Sequence, residues 1–465
     1  MLIEFKVANY RSIRAEQTLS MVASNYSDEL PQNLISCDDV PGLKGTKLVK
    51  AVALYGANAS GKSNIIAALR FSAEFVRDSA TRLQPDAPTG AQPFKLDPAC
   101  LTEPSKFEVT AVIKGVRTLY GIELTRERVT REYLVAYPKG RAQVWFERDW
   151  DAAKKRYDWS KSTVHFKHDD ALHEKTRENS AFLGVAAQFN LTKAKAVSSW
   201  FADFLHLIDL SHDLETANAA RFTLGSKSLR KILADVACRA DFGVIDVQLL
   251  KGQRAELARA AVRSMATRRE LYDTFASKKE HAPSLKSQRP LNFDRESGPE
   301  GNFEDMMAGM LRDFGDEYST PQLTHRSKDG SVALSYYAEE SVGTQRYIEI
   351  AAELIMATAL GGLFVIDELE ISLHPLLVIE LLRSYFIWKG GTLGAQLIFT
   401  THNPLLLDQT LLRRDQIWFT EKDQEGATRL YPLTDFKPRK DESLVKGYLA
   451  GRYGGIPFIP EGLKF

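Results

Sequence analysis

The sequence predicts an α/β fold that carries a phosphate-binding loop, and three observations support this. Residues 49–55 (VKAVALY) have the composition of a buried strand, run directly into the glycine loop GANASGKSN, and are followed by apolar residues at helical spacing. Residues 106–147 alternate with period two, which indicates a meander of antiparallel strands. The last third of the chain alternates helix and strand, the pattern of an α/β sheet.

The remaining segments are assigned in chain order. Two short strands are predicted at residues 2–7 and 18–23, and helices with one apolar face between 181 and 240. Residues 251–300 begin as a basic helix and end in Ser, Pro, Gly and charged residues, which indicates an insertion whose second half is mobile. A hairpin with its turn at residues 328–330 follows. The last elements are a helix at 344–360, a strand at 362–368, a helix near 376–388 and a strand at 395–402.

A chain of 465 residues has room for two or three domains. We predict an N-terminal lobe at residues 1–165, which contains the glycine loop and the meander. A helical insertion is predicted at residues 166–320, and a C-terminal lobe at residues 321–465. The two lobes would then form one sheet interrupted by the insertion.

The glycine loop fits the pattern GxxxxGK[ST]. Its glycines allow backbone N–H groups to close around the β and γ phosphates, Lys62 supplies a mobile cation, and the Ser63 hydroxyl is placed to ligate Mg²⁺ at a helix N-terminus. A nucleotide and Mg²⁺ are therefore the expected ligands. The residues predicted to form this site are Gly56, Asn58, Ser60, Gly61, Lys62, Ser63 and Asn64.

An acidic pair closes the apolar strand GLFVIDE. Asp367 is predicted to hold the metal through water, and Glu368 to take a proton from the attacking water. A helix N-cap is the alternative interpretation of this pair. Asp367 follows Lys62 by 305 residues, whereas compact kinases and GTPases bring the two motifs together within about one hundred residues. A large insertion between two halves of one sheet is therefore expected.

Two further segments narrow the class of ATPase. Residues 338–351 (AEESVGTQRYIEIA) place Ser341 and Gly343 just before a helix, and FTTHNP places His402 at the end of the next strand. The chain here resembles the ABC-type ATPases of the SMC and Rad50 branch. The resemblance implies that Ser341 and Gly343 belong to a divergent signature motif, and that His402 senses the γ-phosphate. A simple helix cap and an ordinary strand-end histidine remain the alternatives.

The signature-like segment has a physical consequence for assembly. A helix N-terminus with a serine and backbone N–H groups binds anions, so it completes a γ-phosphate site only when brought against the Lys62 loop of a second subunit. The expected assembly is therefore a head-to-tail dimer, or a higher homo-oligomer, with ATP between the copies.

Further segments resemble the AAA-15/AAA-21-type ATPases, which are related to the ATPase part of OLD (overcoming lysogenization defect) proteins. They are FKVANYRSI, PFKLDP, DELEISLHP, FTTHNP and KGYLAGRYGGIPFI. The resemblance implies a sensor or scaffold in bacterial anti-phage defence, with slow ATP hydrolysis and a separately encoded effector. Only 63 residues follow His402, too few for the Toprim nuclease of OLD proteins, so a nuclease partner chain is expected.

Rival functions remain open at this stage. A DNA-repair ATPase of the RecF or Rad50 kind would bind DNA directly, and the basic run at residues 254–279 could meet DNA, an acidic partner or only solvent. A phage protein is another possible trigger. A non-enzymatic alternative is that ATP locks an assembly without turnover.

Some single residues are ambiguous. Gln188 is one candidate for the glutamine that links metal and helical lobe in ABC-type ATPases, Gln92 is another, and an ordinary polar role is the alternative for both. Arg11 could reach the phosphates or simply be exposed. Asp149 and Asp151 resemble a nuclease DxD, but a turn between strands is the preferred interpretation.

Composition restricts the compartment and the partners. The net charge is +1, which argues against general nucleic-acid binding through a basic surface. The three cysteines form no CxxC, as expected in a reducing compartment. No apolar run reaches the roughly 18 to 20 residues that span a bilayer, so a cytoplasmic protein without membrane contact is expected.

Overall fold

The computed structural model describes residues 1–25, 30–159, 165–167, 170–208, 223–224, 226–240, 243–252, 318–326, 332–336, 339–388 and 394–457. The chain forms two compact units. The first unit comprises Met1–Leu207, Gly362–Leu369 and Gly394–Phe465, and the second unit comprises Ile208–Gly361 and Glu370–Leu393. Each unit contains residues from more than one of the three predicted domains, whose bounds stay a prediction.

A seven-stranded antiparallel sheet forms one layer of the first unit. Buried and more exposed residues alternate along its strands, because successive side chains of a strand point to opposite faces. Its central strands confirm the predicted meander. The strands are β1 (Leu2–Ala8), β2 (Gln17–Ser20), β6 (Ser105–Ile113), β7 (Val116–Leu124), β8 (Val129–Ala136), β9 (Gln143–Asp151) and β10 (Arg156–Trp159), in the order β10-β9-β8-β7-β6-β1-β2.

A six-stranded sheet forms the other layer and has a parallel centre. Its middle strands are buried throughout, as expected for parallel strands covered on both faces. The strands are β5 (Ala51–Gly56), β11 (Leu205–Ile208), β15 (Leu363–Ile366), β16 (Gln396–Thr400), β17 (Ile417–Lys422) and β18 (Thr428–Pro432), in the order β11-β15-β16-β5-β17-β18. A small ribbon pairs β3 (Leu34–Ser36) with β4 (Lys47–Val49).

Four helices belong to the first unit before residue 200, and a fifth lies near its C-terminal end. The longest begins at the lysine of the glycine loop and buries its apolar face in a cluster that also contains residues of both sheets. The helices are α1 (Lys62–Asp78), α2 (Ala171–Lys175), α3 (Phe182–Gln188), α4 (Thr192–Ser199) and, near the C-terminus, α8 (Leu444–Leu449).

The described part of the second unit combines helices with an antiparallel sheet. The predicted hairpin is present, although its turn at 328–330 and the basic run at 254–279 lie outside the described residues. Strand β12 follows the expected helical stretch and was not predicted from the sequence. The elements are α5 (Lys227–Arg239), β12 (Val244–Gly252), β13 (Tyr318–Arg326), β14 (Val332–Tyr336), α6 (Val342–Leu360) and α7 (Pro375–Ile387).

The predicted α/β fold is confirmed. It has a glycine loop after the central parallel strand β5, a separate antiparallel meander, and helices between β5 and β15 in the chain. These features are those expected of an ABC-type P-loop ATPase. The expected helix through residues 197–207 is wrong in its second half, where a π-helical turn at Trp200–Phe204 leads into β11. Pairing of β11 at the sheet edge overrides its helical periodicity. In the part of the chain that the structure describes, no helix has the length and apolarity to cross a bilayer.

Candidate functional site

Three predicted motifs follow three neighbouring parallel strands. The glycine loop follows β5, His402 follows β16 and the acidic pair follows β15. Ile366 pairs with Phe399, and Thr400 pairs with Leu54, so the carboxyl ends of these strands lie at one sheet edge. This edge is where open α/β sheets bind ligands, because the loops after the strands converge there.

The glycine loop turns sharply into α1. Ala59 and Gly61 have φ angles of +64° and +111°, and a methyl group added at Gly61 would lie 2.1 Å from Thr428 Oγ1. Lys62 is buried, and its Nζ donates to the carbonyl oxygens of Gly56 at 2.9 Å and Ala57 at 3.1 Å. The loop thus encloses a cation at a helix start whose first turn has no acidic residue, which favours a bound anion.

A network of hydroxyl groups supports the glycine loop from the adjoining strands. Ser60 Oγ lies 2.6 Å from Thr420 Oγ1, and Thr428 Oγ1 donates to the carbonyl oxygen of Ser60 at 2.9 Å. Asn64 Nδ2 donates to Ser12 Oγ at 2.6 Å, and that hydroxyl lies 2.8 Å from Thr428 Oγ1. These bonds join the loop to Ser12 and to strands β17 and β18, which are far from it in sequence.

The acidic pair is held by a buried threonine of the neighbouring strand. The Thr400 hydroxyl donates to Asp367 Oδ1 at 2.6 Å and accepts the Glu368 N–H at 2.7 Å. Glu368 is exposed and has φ of +53°, which is uncommon outside glycine and often marks functional sites. The pair therefore ends a strand rather than capping a helix, since α7 begins only at Pro375, with His374 as its N-cap.

His402 and the residue after it lie next to the acidic turn. Thr401 N donates to the Leu54 carbonyl oxygen at 3.0 Å, and the Tyr55 hydroxyl donates to the Asn403 carbonyl oxygen at 3.1 Å. Two bonds to β5 thus flank His402, which is half-buried, on both sides. The backbone at His402 is therefore tied to the strand that carries the glycine loop.

The residues present fit a magnesium ion. Ser63 is exposed in the first turn of α1, as a metal-ligating hydroxyl must be, and Asp367 is half-buried at the same sheet edge with its orientation set by Thr400. A hydroxyl and a carboxylate are hard oxygen donors of the kind Mg²⁺ prefers in phosphate sites.

A cavity of about 300 Å³ lies beside the hydroxyl network and carries positive charge. Arg11 and Gln92 both line it, and Arg11 N donates to the Gln92 carbonyl oxygen at 2.6 Å. Burial lowers the pKa of the Lys422 ammonium there, and its Nζ donates to Thr428 Oγ1 at 3.1 Å. Arg11 is thus placed at a cavity that adjoins the glycine loop through Ser12.

The other sequence candidates lie elsewhere. Gln188 is the exposed last residue of α3, and no contact in the described structure connects it with the motif loops. Asp149 and Asp151 lie within β9 rather than in a turn, because β9 pairs with β10 as far as Asp151. Asp149 faces Arg131 at 3.4 Å, an ordinary surface ion pair.

The signature-like segment lies in the second unit. Ser341 is the N-cap of α6, and its Oγ accepts the Thr344 N–H at 3.1 Å. A methyl group added at Gly343 would lie 3.2 Å from the Ser372 carbonyl oxygen, so α6 begins in close contact with the loop that precedes α7. Both Ser341 and the neighbouring Val342 are exposed.

Sequence reasoning missed the residues that support the glycine loop and the acidic turn. Four of them have hydroxyl side chains and one is a lysine, and no spacing rule connects them with the motifs. Only Thr400 had a recognisable feature in the sequence, because it belongs to a pair of threonines directly before His402. The missed residues are Ser12, Thr400, Thr420, Lys422 and Thr428.

Comparison with known proteins gives a family. The family model described as "AAA domain, putative AbiEii toxin, Type IV TA system" matches residues 51–408, well over half of the chain, and the chain therefore belongs to this family. No curated protein matches it. Two solved structures are similar in part. A chain of "Crystal structure of the SmcHead bound to the C-winged helix domain of ScpA" is 10% identical with a TM-score of 0.42, and 92% of this chain and 97% of that one are covered. "SMC head domain from Thermotoga maritima" is 11% identical with a TM-score of 0.39, covering 93% and 98%.

Proposed function

We propose that this member of the AAA family is a Mg²⁺-dependent ATPase whose two copies enclose ATP. The observation that carries the proposal is the convergence of three motif loops at the ends of the adjacent strands β5, β16 and β15. Each loop supplies a different function that phosphoryl transfer needs: a phosphate cradle, a metal carboxylate with a base, and a polar group near the γ-phosphate.

Each residue has a role in this proposal. Lys62 exchanges its bonds to the loop carbonyls for phosphate oxygens, and the other residues of the glycine loop donate backbone N–H groups. Glu368 accepts a proton from the attacking water, and His402 contacts the γ-phosphate. Ser63 and Asp367 are the side chains that would hold Mg²⁺, which would offset the negative charge of the phosphates. Thr400 keeps the Asp367 carboxylate in position.

Pairing of two copies is supported by the surface around the signature-like segment. Val342 is 62% exposed directly beside Ser341, and Leu376 at the start of α7 is 60% exposed. Large apolar side chains exposed next to a helix N-terminus fit a face that a second copy covers. Ser341 and Gly343 would then meet the nucleotide held by the glycine loop of the partner copy, in head-to-tail arrangement.

The cellular role we propose is a cytoplasmic sensor or scaffold in bacterial anti-phage defence. The description of the family, which names a toxin and a toxin–antitoxin system, supports a role in such conflict systems. The chain would hold or release a separately encoded effector, a nuclease, according to its nucleotide state. Copurification with and without ATP tests this. A nuclease released on ATP addition supports it, whereas ATP-dependent binding of DNA alone would favour the DNA-repair alternative.

Replacing the proposed base tests the chemistry directly. In single-turnover assays, Glu368→Gln should retain ATP uncleaved and stabilise the dimer, because the amide cannot accept the proton while the binding residues remain. Glu127→Gln, an exposed carboxylate between two meander strands, is the matched control and should hydrolyse like wild type. Equal hydrolysis by Glu368→Gln and the control would rule out the base assignment. An ATP complex enclosed within one copy, at any concentration, would rule out the paired site.

A further inference from the structure

The segment after α8 makes a loop rich in glycine, which we name the C-terminal glycine loop and define as residues 451–456. Gly451, Gly454 and Gly455 have φ angles of +78°, +65° and +67°, a conformation that residues with a side chain rarely adopt. Tyr453 between them is fully buried. A loop with three left-handed glycines and a buried tyrosine has a defined shape rather than that of a loose tail.

An aromatic cluster packs this loop against β5. That strand leads into the glycine loop at residues 56–64, which we call the phosphate loop from here on. The Tyr55 ring, next to Gly56, lies 5.6 Å from the Tyr448 ring and 6.0 Å from the Phe419 ring. Phe419 in turn stacks on Tyr448 at 5.8 Å and on Tyr453 at 6.0 Å. The loop and β5 therefore share one packed cluster.

Hydrogen bonds then fix the path of the loop backbone. The Tyr448 hydroxyl donates to the Gly455 carbonyl oxygen at 3.2 Å, and the Tyr431 hydroxyl donates to the Tyr453 carbonyl oxygen at 3.0 Å. The Tyr453 hydroxyl donates to Glu442 Oε1 at 2.5 Å. Each bond starts from a side chain of this cluster or its surroundings, so the loop cannot shift without disturbing them.

The fixed loop passes directly against the first glycine of the phosphate loop. A methyl group added at Gly455 would lie 3.1 Å from Phe419 Cδ1 and 3.6 Å from Gly56 Cα. In the direction of its own missing side chain Gly56 is also enclosed, since a methyl group there would lie 2.4 Å from both Ser60 Oγ and Thr420 Oγ1. Gly455 is thus a near neighbour of a backbone position that has no room for a side chain.

We propose that the C-terminal glycine loop is a positioning element of the nucleotide site, with Gly455 as its contact residue. The inference rests on the proposed function, because it assumes that the phosphate loop binds a nucleoside triphosphate. The Gly56 carbonyl oxygen accepts a bond from Lys62 Nζ, and a phosphate that draws Lys62 away removes this bond. The Gly56 peptide then readjusts against Gly455, and the change reaches Tyr448 and Tyr453.

The coupling is reciprocal, because it is a free energy shared by two sites. Nucleotide binding changes the stability of the C-terminal glycine loop, and a protein that grips the loop changes nucleotide affinity by the same factor. The C-terminal glycine loop is then a control point at which a partner protein would change nucleotide affinity.

The test compares two glycine substitutions at similar positive φ angles. Gly455→Ala, at φ of +67°, introduces a methyl group that is tight against Phe419 and touches Gly56, whereas Gly45→Ala, at φ of +79°, has nothing within 4 Å of the added methyl. The affinity for a non-hydrolysable ATP analogue is measured by titration, and amide hydrogen exchange is followed in residues 444–457. Tyr448→Phe keeps the ring and removes the hydroxyl that donates to Gly455. It replaces Gly455→Ala in the test if that variant does not fold.

We expect Gly455→Ala to bind the analogue about tenfold or more weakly than Gly45→Ala, and Tyr448→Phe about threefold more weakly than wild type. In wild type, the analogue should slow exchange in residues 451–456. A Gly455→Ala affinity equal to that of Gly45→Ala, with exchange in the loop unchanged by nucleotide, would overturn the inference alone. Absence of binding by wild type would instead overturn the proposed function.

Discussion

The phosphate loop of the first unit and the signature-like segment of the second unit are supported in different ways. Around the phosphate loop, hydrogen bonds join residues far apart in sequence, such as Ser60 with Thr420, 360 residues apart. Around Ser341 the support is local, since Ser341 Oγ bonds to Thr344 three residues later. The phosphate loop is thus held by hydrogen bonds across the first unit, whereas the Ser341 side chain bonds within its own helix turn and stays exposed. This difference agrees with the proposed site shared between two copies, in which one half would bind nucleotide and an exposed half would complete it.

The largest effect on stability is expected at a buried ion pair of the first unit. Arg148 and Glu132 form a fully buried ion pair at 2.7 Å, and Glu132 also accepts the N–H groups of Phe182 and Leu183 at the start of α3. Arg148→Met should lower the free energy of unfolding by about 3 to 5 kcal/mol, because it leaves a buried carboxylate without its cation. Denaturant unfolding measures this.

Two controls make that prediction specific. Arg156→Met removes an exposed arginine 3.9 Å from Asp158, and should change stability by less than about 1 kcal/mol. Arg148→Lys keeps a cation opposite Glu132 and should lose less stability than Arg148→Met. A cost for Arg148→Met no greater than that for Arg156→Met would show that the pair does not hold the unit together.

Lys62→Ala should weaken nucleotide binding by the first unit and leave the second unit unchanged. We expect roughly 100-fold weaker ATP binding, because the variant removes the buried ammonium that we propose binds the phosphates. The fold of the second unit should not change, as judged by hydrogen exchange in α6. Lys44→Ala, an exposed lysine in the first unit, is the control for loss of charge. Full-strength ATP binding by Lys62→Ala would contradict the phosphate assignment.

Thr400→Val should have an intermediate effect. Valine keeps the shape but removes the hydroxyl that orients Asp367 and accepts the Glu368 N–H. The Mg²⁺ concentration needed for half-maximal hydrolysis should rise about tenfold, as for loss of an outer-shell partner. Thr118→Val removes another buried threonine hydroxyl, which bonds to the Val116 carbonyl oxygen in the antiparallel sheet, and should leave this value unchanged. An unchanged Mg²⁺ dependence in Thr400→Val would show that Thr400 has no influence on metal binding.

The smallest structural effect, and the sharpest test of the second unit, is at Ser341. Aspartate caps a helix about as well as serine, so Ser341→Asp should keep α6 within about 0.5 kcal/mol of wild type, whereas Ser341→Ala should cost about 0.5 to 2 kcal/mol. If Ser341 meets phosphate, the added charge of Ser341→Asp should abolish hydrolysis while binding of ATP to one copy persists. A wild-type rate of hydrolysis in Ser341→Asp would show that Ser341 acts only as the N-cap of α6.

Much of the site could be predicted because its motifs are local. The glycine loop is a contiguous pattern between a strand and a helix, and the acidic pair ends an apolar strand, so residue type and spacing identify both. Gln188 could not be placed by such reasoning, since a single polar residue at a helix end carries no spacing signal. Phe204 and Leu207 fit a helical face by periodicity, yet β11 begins at Leu205.

The sequence by itself thus determined which loops form the candidate phosphate site and which carboxylates accompany them, because those groups are specified within a few residues of each other. Only the tertiary structure decided what holds them. Thr400 bonds to Asp367 from the next strand, Thr428 bonds to Ser60 from a distant hairpin, and Gly455 lies beside Gly56. Hydrogen bonds and van der Waals contacts act over a few ångströms in space, and strand order brings together residues whose separation along the chain contains no trace of that proximity.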